Sequence, residues 1–460
     1  MLLKHLKKFI LPDIIDLPIK FLLQFFLLYF LPKEEFAIVS IGMLFFSYHP
    51  LSQLGTLDFL MLKLPEDYLN NKNLADNKDL SRSRQLAIFV TAFSGLFVIV
   101  SCLITSQKFL ITFCFSAFIL QSLLYENFLY RTVLLRYSYN FEYLAKLKVS
   151  LSLSRLVLST TGLVFFGVYG YLIAEALIYS VPLLLFREVK IKKIPISPTQ
   201  ICGLLKLSFP FLFLSFINLV GSQIDRWLII TNNTLEVFAD YALCTFIVSA
   251  ALILPGKIDS LTMQYFREFY VIRKSEKYYY YRVLAYLQFI SVFLGVYALI
   301  VVGLFEFLVG TYLIKYSNTI EYLSIIALIL PSRHIFNVIT ALLGLEFRQT
   351  HILFFKLCFI CSFLFCFLLM EVNLLGILTI VFASTSLLVL LMSIYLIKNS
   401  LKKLRWQLFM FLVTFSLVLF LTSSFSGLAQ KLIGFSVLLL LTQLKYSDFF
   451  KFINNKLYLR

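Results

Sequence analysis

Charged side chains within long apolar stretches are the residues of this sequence best placed to do chemistry. Lys20, Arg155 and Arg333 fall near the middle of three apolar runs, and Arg226 lies toward the outer end of a fourth. A charge at mid-bilayer costs at least about 2.5–3.5 kcal/mol, so such residues usually face a cavity and have a function. Arg offers a planar fork that binds phosphate oxygens in pairs, and Lys a point charge. These four cations therefore indicate a binding site for an anionic substrate.

Two acids, Glu175 and Asp225, lie within the same kind of run. We predict that they couple transport to an ion by carrying a returning proton or sodium ion. A structural role is the alternative. Asp16 and Glu175 would then pair with the deep cations, and Asp225 with a base on another helix, because adjacent residues do not face each other on one helix.

Motifs for other chemistry are missing from the sequence. It contains no nucleotide-binding P-loop, no H-E-x-x-H, no G-x-S-x-G and no D-x-D. The four His are scattered, and the one C-x-x-C pair, Cys358 and Cys361, lies inside an apolar helical run. We therefore expect no catalytic residues, no metal, no cofactor and no enzyme activity.

The composition is that of a membrane protein. The 460 residues are 60% hydrophobic and only 14% charged, and the mean hydropathy is +0.89. Backbone polar groups in lipid must be satisfied within their own element, so long apolar runs are helices. The sequence predicts an all-α polytopic membrane protein with about 14 transmembrane helices, near 10–31, 36–58, 86–106, 109–130, 148–166, 169–186, 205–229, 236–258, 283–304, 321–345, 351–371, 373–397, 406–424 and 428–444.

The basic residues predict the orientation of these helices. With fourteen spans, 31 Lys and Arg fall on the side of the termini, four on the opposite side, and six within or at the ends of spans. Cytoplasmic loops carry such an excess, so both termini are predicted to be cytoplasmic. The same asymmetry accounts for most of the net charge of +17, and it gives no reason to expect nucleic acid as a partner.

A weak internal repeat predicts the domain organisation. A Lys-x-x-x-Pro opening and a Glu-x-Phe-Ala start to the next span recur at offsets of 198 and 202 residues, at Lys8, Pro12 and 34–37 and again at Lys206, Pro210 and 236–239. Two six-helix halves that both start in the cytoplasm form a parallel repeat. The predicted domains are residues 1–200, residues 201–400, and residues 401–460 with two additional helices and a cytoplasmic tail.

The motif around the seventh span resembles a known family. It consists of Lys206, Ser208, Pro210, Asp225-Arg226 and Tyr241-Ala242, and the stretches 34–44, 54–66 and 166–171 accompany it. Together they are similar to polysaccharide-export flippases, nearest the O-antigen type, of the multidrug/oligosaccharidyl-lipid/polysaccharide (MOP) superfamily. Ala37 departs from the family pattern, which usually has Gly there.

The resemblance implies a flippase of the bacterial inner membrane. It would move undecaprenyl-pyrophosphate-linked oligosaccharide from the cytoplasmic to the periplasmic leaflet by alternating access. The implied partners are this lipid-linked substrate, membrane lipid, a polysaccharide polymerase and a chain-length regulator. Two alternatives remain: a drug/cation antiporter of the same superfamily, which should carry more acid than base in its cavity, and a membrane glycan polymerase or ligase, which needs a larger outer loop than this chain offers.

Overall fold

The computed structural model describes residues 2–71, 77–105, 107–138, 140–187, 191, 198–273 and 300–345, with isolated positions in 286–297 and 353–381. Every described element is a helix. Most of the spans predicted at 283–304, 351–371 and 373–397, and all of the segment 401–460 with its two predicted spans, lie outside the described residues. The predicted total of 14 helices therefore stays a prediction.

The chain forms two compact units, 1–223 and 224–460. The border falls inside a helix that starts at Pro198, whereas the sequence places the domain boundary at 200, and that boundary stays a prediction. The helices of the first unit are α1 (Leu2–Phe30), α2 (Lys33–Phe46), α3 (Thr56–Asn71), α4 (Lys78–Ile104), α5 (Phe109–Tyr137), α6 (Phe141–Leu177), α7 (Ser180–Leu185) and the first part of α8 (Pro198–Asn232).

The second unit begins with the end of α8 and continues with α9 (Leu235–Arg273), α10 (Ile300–Thr311), a 3-10 helix (Ile314–Tyr322) and α11 (Leu323–Leu345). α11 packs along α9. The segment 305–320, which the sequence leaves as a loop between the spans predicted at 283–304 and 321–345, is instead mostly helical, and it buries Tyr316. Aromatic and apolar side chains in this segment pack against α9, which explains why it is not an open loop.

Five helical segments in the described part of the chain are long and apolar enough to cross a membrane: Lys78–Ile104, Phe109–Tyr137, Phe141–Leu185, Thr199–Asn232 and Leu235–Ile253. Their surfaces expose many large apolar side chains, such as Phe93 and Phe165. In water this exposure would be costly, whereas lipid solvates such side chains. The coarse prediction of an all-helical, multi-pass membrane protein agrees with the structure.

One of these five segments is a hairpin of two antiparallel arms. Gly167, with φ 60° and ψ −142°, interrupts α6. Ser159 on the first arm bonds to Glu175 on the second, and Arg155 to Tyr179. The turn falls between the two spans predicted at 148–166 and 169–186, in a backbone region that is open almost only to glycine.

The continuous second span predicted at 36–58 is wrong. α2 ends at Phe46, a 3-10 helix covers His49–Gln53, and α3 starts at Thr56. Leu54 and Gly55 between them have φ values of 49° and 70°. Two successive residues in the left-handed region cannot continue an α-helix, so the apolar run is broken. We call residues 47–55 the break.

The repeated Glu-x-Phe-Ala motif has the same local structure in both places. Phe36 and Phe238 are buried in the first turn of α2 and α9, and each backbone N–H bonds to the carbonyl four residues before it. α9 then continues unbroken as far as Arg273, whereas α2 ends at Phe46. The proposed parallel repeat stays a prediction.

Candidate functional site

The predicted site residues of the first unit lie where α1 packs along α6. Asp16 and Lys20 are one turn apart on α1, and the Lys20 ammonium lies 2.5 Å from a carboxylate oxygen of Asp16. The hydroxyl of Ser152 on α6 donates to the other oxygen at 2.7 Å. Arg155, one turn further along α6, is the second cation that acts on Asp16. Lys20 and Arg155 therefore share one carboxylate.

Glu175 lies on the second arm of the hairpin and is buried. Its two carboxylate oxygens accept from Gln121 of α5 at 2.7 Å and from Ser159 at 3.0 Å. Tyr171 also bonds to it, and Arg155 acts on it electrostatically. Helices α5 and α6 thus hold this predicted coupling acid in a fixed position between neutral donors and one cation.

Arg155 is the centre of this cluster. The guanidinium reaches the hydroxyl of Tyr179 at 3.5 Å, and the ring of Tyr179 contacts Tyr125 and Phe128 on α5. With Asp16 and Glu175 ionised, the two acids balance the two cations. The structural pairing that the sequence left open is therefore present in the first unit. The Lys20 side chain nevertheless keeps 49% of its surface outside contacts with the protein.

The other predicted residues lie in the second unit. Asp225 on α8 is buried, and one of its carboxylate oxygens accepts the hydroxyl of Tyr241 on α9. Arg226 and Arg333 act electrostatically on the same tyrosine. The second Asp225 oxygen and the Arg226 Nε are buried without a hydrogen-bond partner in the part of the chain that the structure describes.

The structure thus sorts the six predicted residues into two groups. Lys20, Arg155 and Glu175 come together in the first unit, and Arg226, Asp225 and Arg333 converge on Tyr241 in the second. Within the described residues, no group of three or more His, Cys, Asp or Glu is placed to hold a metal ion. The roles assigned to the six residues stay predictions.

The sequence reasoning missed a polar cluster at the break. Glu126 of α5 is fully buried, and it accepts from Ser52 at 2.9 Å and from Gln53 at 3.5 Å. Glu126 is the only charged residue of the span predicted at 109–130. An ionisable residue in an apolar span is a functional candidate by default, so the signal was present. Glu126 is a buried acid in addition to Glu175 and Asp225.

The break also contacts the first half of α8. The hydroxyl of Ser208 donates to the carbonyl of Leu54 at 3.0 Å. A Cβ on Gly55 would lie 2.4 Å from the backbone N of Leu212, so only glycine lets the helix approach this closely. Ser215 further along α8 bonds to Asp58 of α3 at 3.1 Å.

Comparisons of the whole structure identify membrane transporters with a similar fold. An inward closed conformation of the lipid II flippase MurJ has a TM-score of 0.63 and 13% identity over 97% of this chain and 100% of that chain. An inward-facing multidrug resistance MATE family transporter of the MOP superfamily has a TM-score of 0.60 and 11% identity. The match covers 86% of this chain and 95% of that chain.

A MOP superfamily transporter from Pyrococcus furiosus has a TM-score of 0.57 and 12% identity, and the match covers 89% of this chain and 96% of that chain. That transporter is described by the reverse polarity of its binding pocket. No family model and no curated protein matches the sequence. Identities this low show a shared fold, so this chain has the fold of MOP superfamily transporters.

Proposed function

We propose that this protein is a flippase that moves an undecaprenyl-pyrophosphate-linked oligosaccharide across the bacterial inner membrane. The observation that carries the proposal is the pair of cations at the α1–α6 contact, Lys20 and Arg155, within a fold shared over its whole length with a lipid II flippase. A lipid-linked pyrophosphate has a compact anionic head, to which a guanidinium fork and an ammonium are chemically suited.

The balanced charge of this cluster suggests how binding is controlled. While Asp16 and Glu175 are ionised, each cation has an acidic neighbour. Protonation of either acid leaves one cation uncompensated, and an anionic head can then replace the lost charge. Binding of the substrate and of a proton would therefore favour each other, so a proton taken up at this cluster would travel with the substrate rather than return in exchange for it.

Export of the surface glycan from cells that lack their own copy of the gene tests the site. Arg155→Ala, Lys20→Ala and Arg333→Ala should each lower export at least about tenfold while the protein still reaches the membrane, because a charged hydrogen bond contributes about 1.5–3 kcal/mol. Lys146→Ala is the matched control. Lys146 is an exposed residue of α6 that pairs with Glu142, so its loss should leave export unchanged. Normal export by both Arg155→Ala and Arg333→Ala would show that the site assignment is wrong.

A drug or cation antiporter is the second candidate, and specific residues favour it. Glu126, Glu175 and Asp225 are buried acids, and the described residues place no ion-pair partner within reach of Glu126. Buried acids suit a cationic substrate as well as a coupling ion. The two candidates differ in whether transport needs Lys20 and Arg155 or the acids alone.

We further propose that both termini are cytoplasmic and that a polysaccharide polymerase and a chain-length regulator act on the exported product. The distribution of Lys and Arg supports the orientation. The partner proteins follow from the resemblance to O-antigen flippases.

A further inference from the structure

Glu126 is a buried acid of α5 that the proposed substrate site does not use. It lies 17 residues along α5 from Phe109, about 25 Å at 1.5 Å per residue. Its neighbours Ser52 and Gln53 come from the break rather than from a regular helix. No basic side chain of the described residues forms an ion pair with it.

The groups around Glu126 are neutral or aromatic. Gln53 Nε2 also lies 3.2 Å from His49 Nε2, and because the amide nitrogen only donates, the geometry assigns His49 as a neutral acceptor. His49 stacks on Phe46 and meets the edge of Tyr125. The other titratable groups that face the cluster are Tyr125 and Tyr130 of α5. Arg155 of α6 acts on Tyr125, and Arg84 of α4 acts on Tyr130.

The oxygens of the break leave little room for a metal ion. The single proton of the Ser52 hydroxyl is shared between the carbonyl of His49 and the carboxylate of Glu126, and the carbonyl of Gln53 accepts from Thr56. The hydroxyls of Thr56, Ser83 and Tyr130 form a hydrogen-bonded chain in which neighbouring oxygens lie 2.5 Å apart. Glu126 is the one carboxylate among these groups, and one carboxylate oxygen is enough to bind a proton, so we assign the proton as the ligand.

We propose that Glu126 is a proton-binding site whose occupancy sets the conformation of the break and its contact with α8. An ionised Glu126 holds Ser52 and Gln53 by charge-assisted hydrogen bonds. Protonation weakens both bonds and loosens the break, whose last two residues, Leu54 and Gly55, lie against the backbone of α8. The proposal goes beyond the proposed function and holds for a flippase or an antiporter.

Hydrogen exchange on the full-length protein in lipid nanodiscs tests the proposal. After correction for the intrinsic rate, the amides of residues 47–49 and 51–55 should exchange about tenfold faster at about pH 5 than at about pH 8, the effect expected for the loss of a charge-assisted hydrogen bond. Glu126→Gln imitates the protonated acid and should exchange at the fast rate at both pH values. Glu142 is an exposed acid of α6, so Glu142→Gln should leave the pH response of these amides as it is in the unchanged protein.

Ser52→Ala provides a second test if Glu126→Gln does not fold. It removes a donor to the ionised carboxylate and keeps the acid, so the exchange transition should move to higher pH. A pH response that survives Glu126→Gln, or a transition that Ser52→Ala leaves in place, would overturn the proposal. A response to sodium at constant pH would also overturn it, since the ligand would then be a metal ion.

Discussion

At the level of single side chains, the deep cations of the first unit each lie beside a carboxylate. Lys20 contacts Asp16, and Arg155 lies between Asp16, Glu175 and Tyr179. Pairing of this kind does not argue against substrate binding. Buried charges need partners in any case, and a ligand phosphate can take the place of one partner.

Glu175→Ala is expected to destabilise the protein by about 3 kcal/mol or more, because it leaves Arg155 without one acid and Gln121 and Ser159 without an acceptor. Glu142→Ala, which removes an exposed acid from α6, should change stability by less than about 0.5 kcal/mol. Thermal unfolding of the purified variants measures both effects. Equal stabilities would mean that the Glu175 network contributes nothing.

Asp225→Asn tests the coupling role in the second unit. The amide oxygen can still accept from Tyr241, so the fold should persist, while the negative charge is lost. We expect transport by this variant to continue without responding to a proton or sodium gradient. Vesicle assays with and without each gradient measure the response. A gradient dependence equal to that of the unchanged protein would place coupling elsewhere.

The residues of the two charge groups were predictable because a charge in an apolar run is conspicuous. Arg155 and Glu175 were found in this way, and a helical hairpin brings them together. Their partners Ser152, Gln121 and Tyr179 could not be predicted, since neutral polar residues are common in membrane helices and only tertiary packing selects them. The same reasoning could have identified Glu126, because it is the only charged residue in the apolar run 109–130.

At the level of elements, the break is the feature that hydropathy conceals. The run 36–58 is apolar on average, and the local signs of an interruption were Pro50, Gly55 and the polar side chains around them, which are Ser47, His49, Ser52, Gln53, Thr56 and Asp58. The hairpin at Gly167 was easier to predict, because a glycine-rich turn separates two apolar runs there. Average hydropathy locates spans, whereas a broken helix depends on side chains that satisfy its free backbone groups.

Gly55→Ala and Gly167→Ala should differ in their effects. Both glycines have positive φ, so alanine at either position introduces backbone strain of about 1–3 kcal/mol. A Cβ at Gly167 meets open space, whereas at Gly55 it collides with the backbone of α8. We expect Gly55→Ala to lower the melting temperature further and to disturb transport. Equal losses from both variants would show that the contact with α8 is unimportant.

For the whole molecule, the charge asymmetry predicts an orientation that labelling can measure. Ser317 is exposed in the 3-10 helix before α11, and position 197 lies in a basic segment. In a variant without native cysteines, an impermeant reagent added to intact cells should label Ser317→Cys and spare Ser197→Cys. Labelling at position 197 from outside would contradict the proposed topology.

The membrane potential should affect the rate of flipping. A pyrophosphate diester carries roughly two negative charges, so an inside-negative potential of about 100 mV favours its outward movement by about 4–5 kcal/mol. Cations that move with the pyrophosphate head would cancel part of this driving energy, whereas cations fixed in the protein would not. Collapse of the potential at constant pH should therefore slow flipping, and an unchanged rate would show that the transported complex carries no net charge.

Translocation of a purified undecaprenyl-pyrophosphate oligosaccharide in reconstituted vesicles tests the central claim most directly. The substrate is placed in one leaflet, and its glycan becomes accessible to an enzyme on the other side only after flipping. The proposed function predicts fast accessibility with the unchanged protein and with Lys146→Ala, and a rate close to that of empty vesicles with Arg155→Ala. Accessibility no faster than in empty vesicles, together with gradient-driven movement of a cationic drug, would contradict the flippase and favour the antiporter.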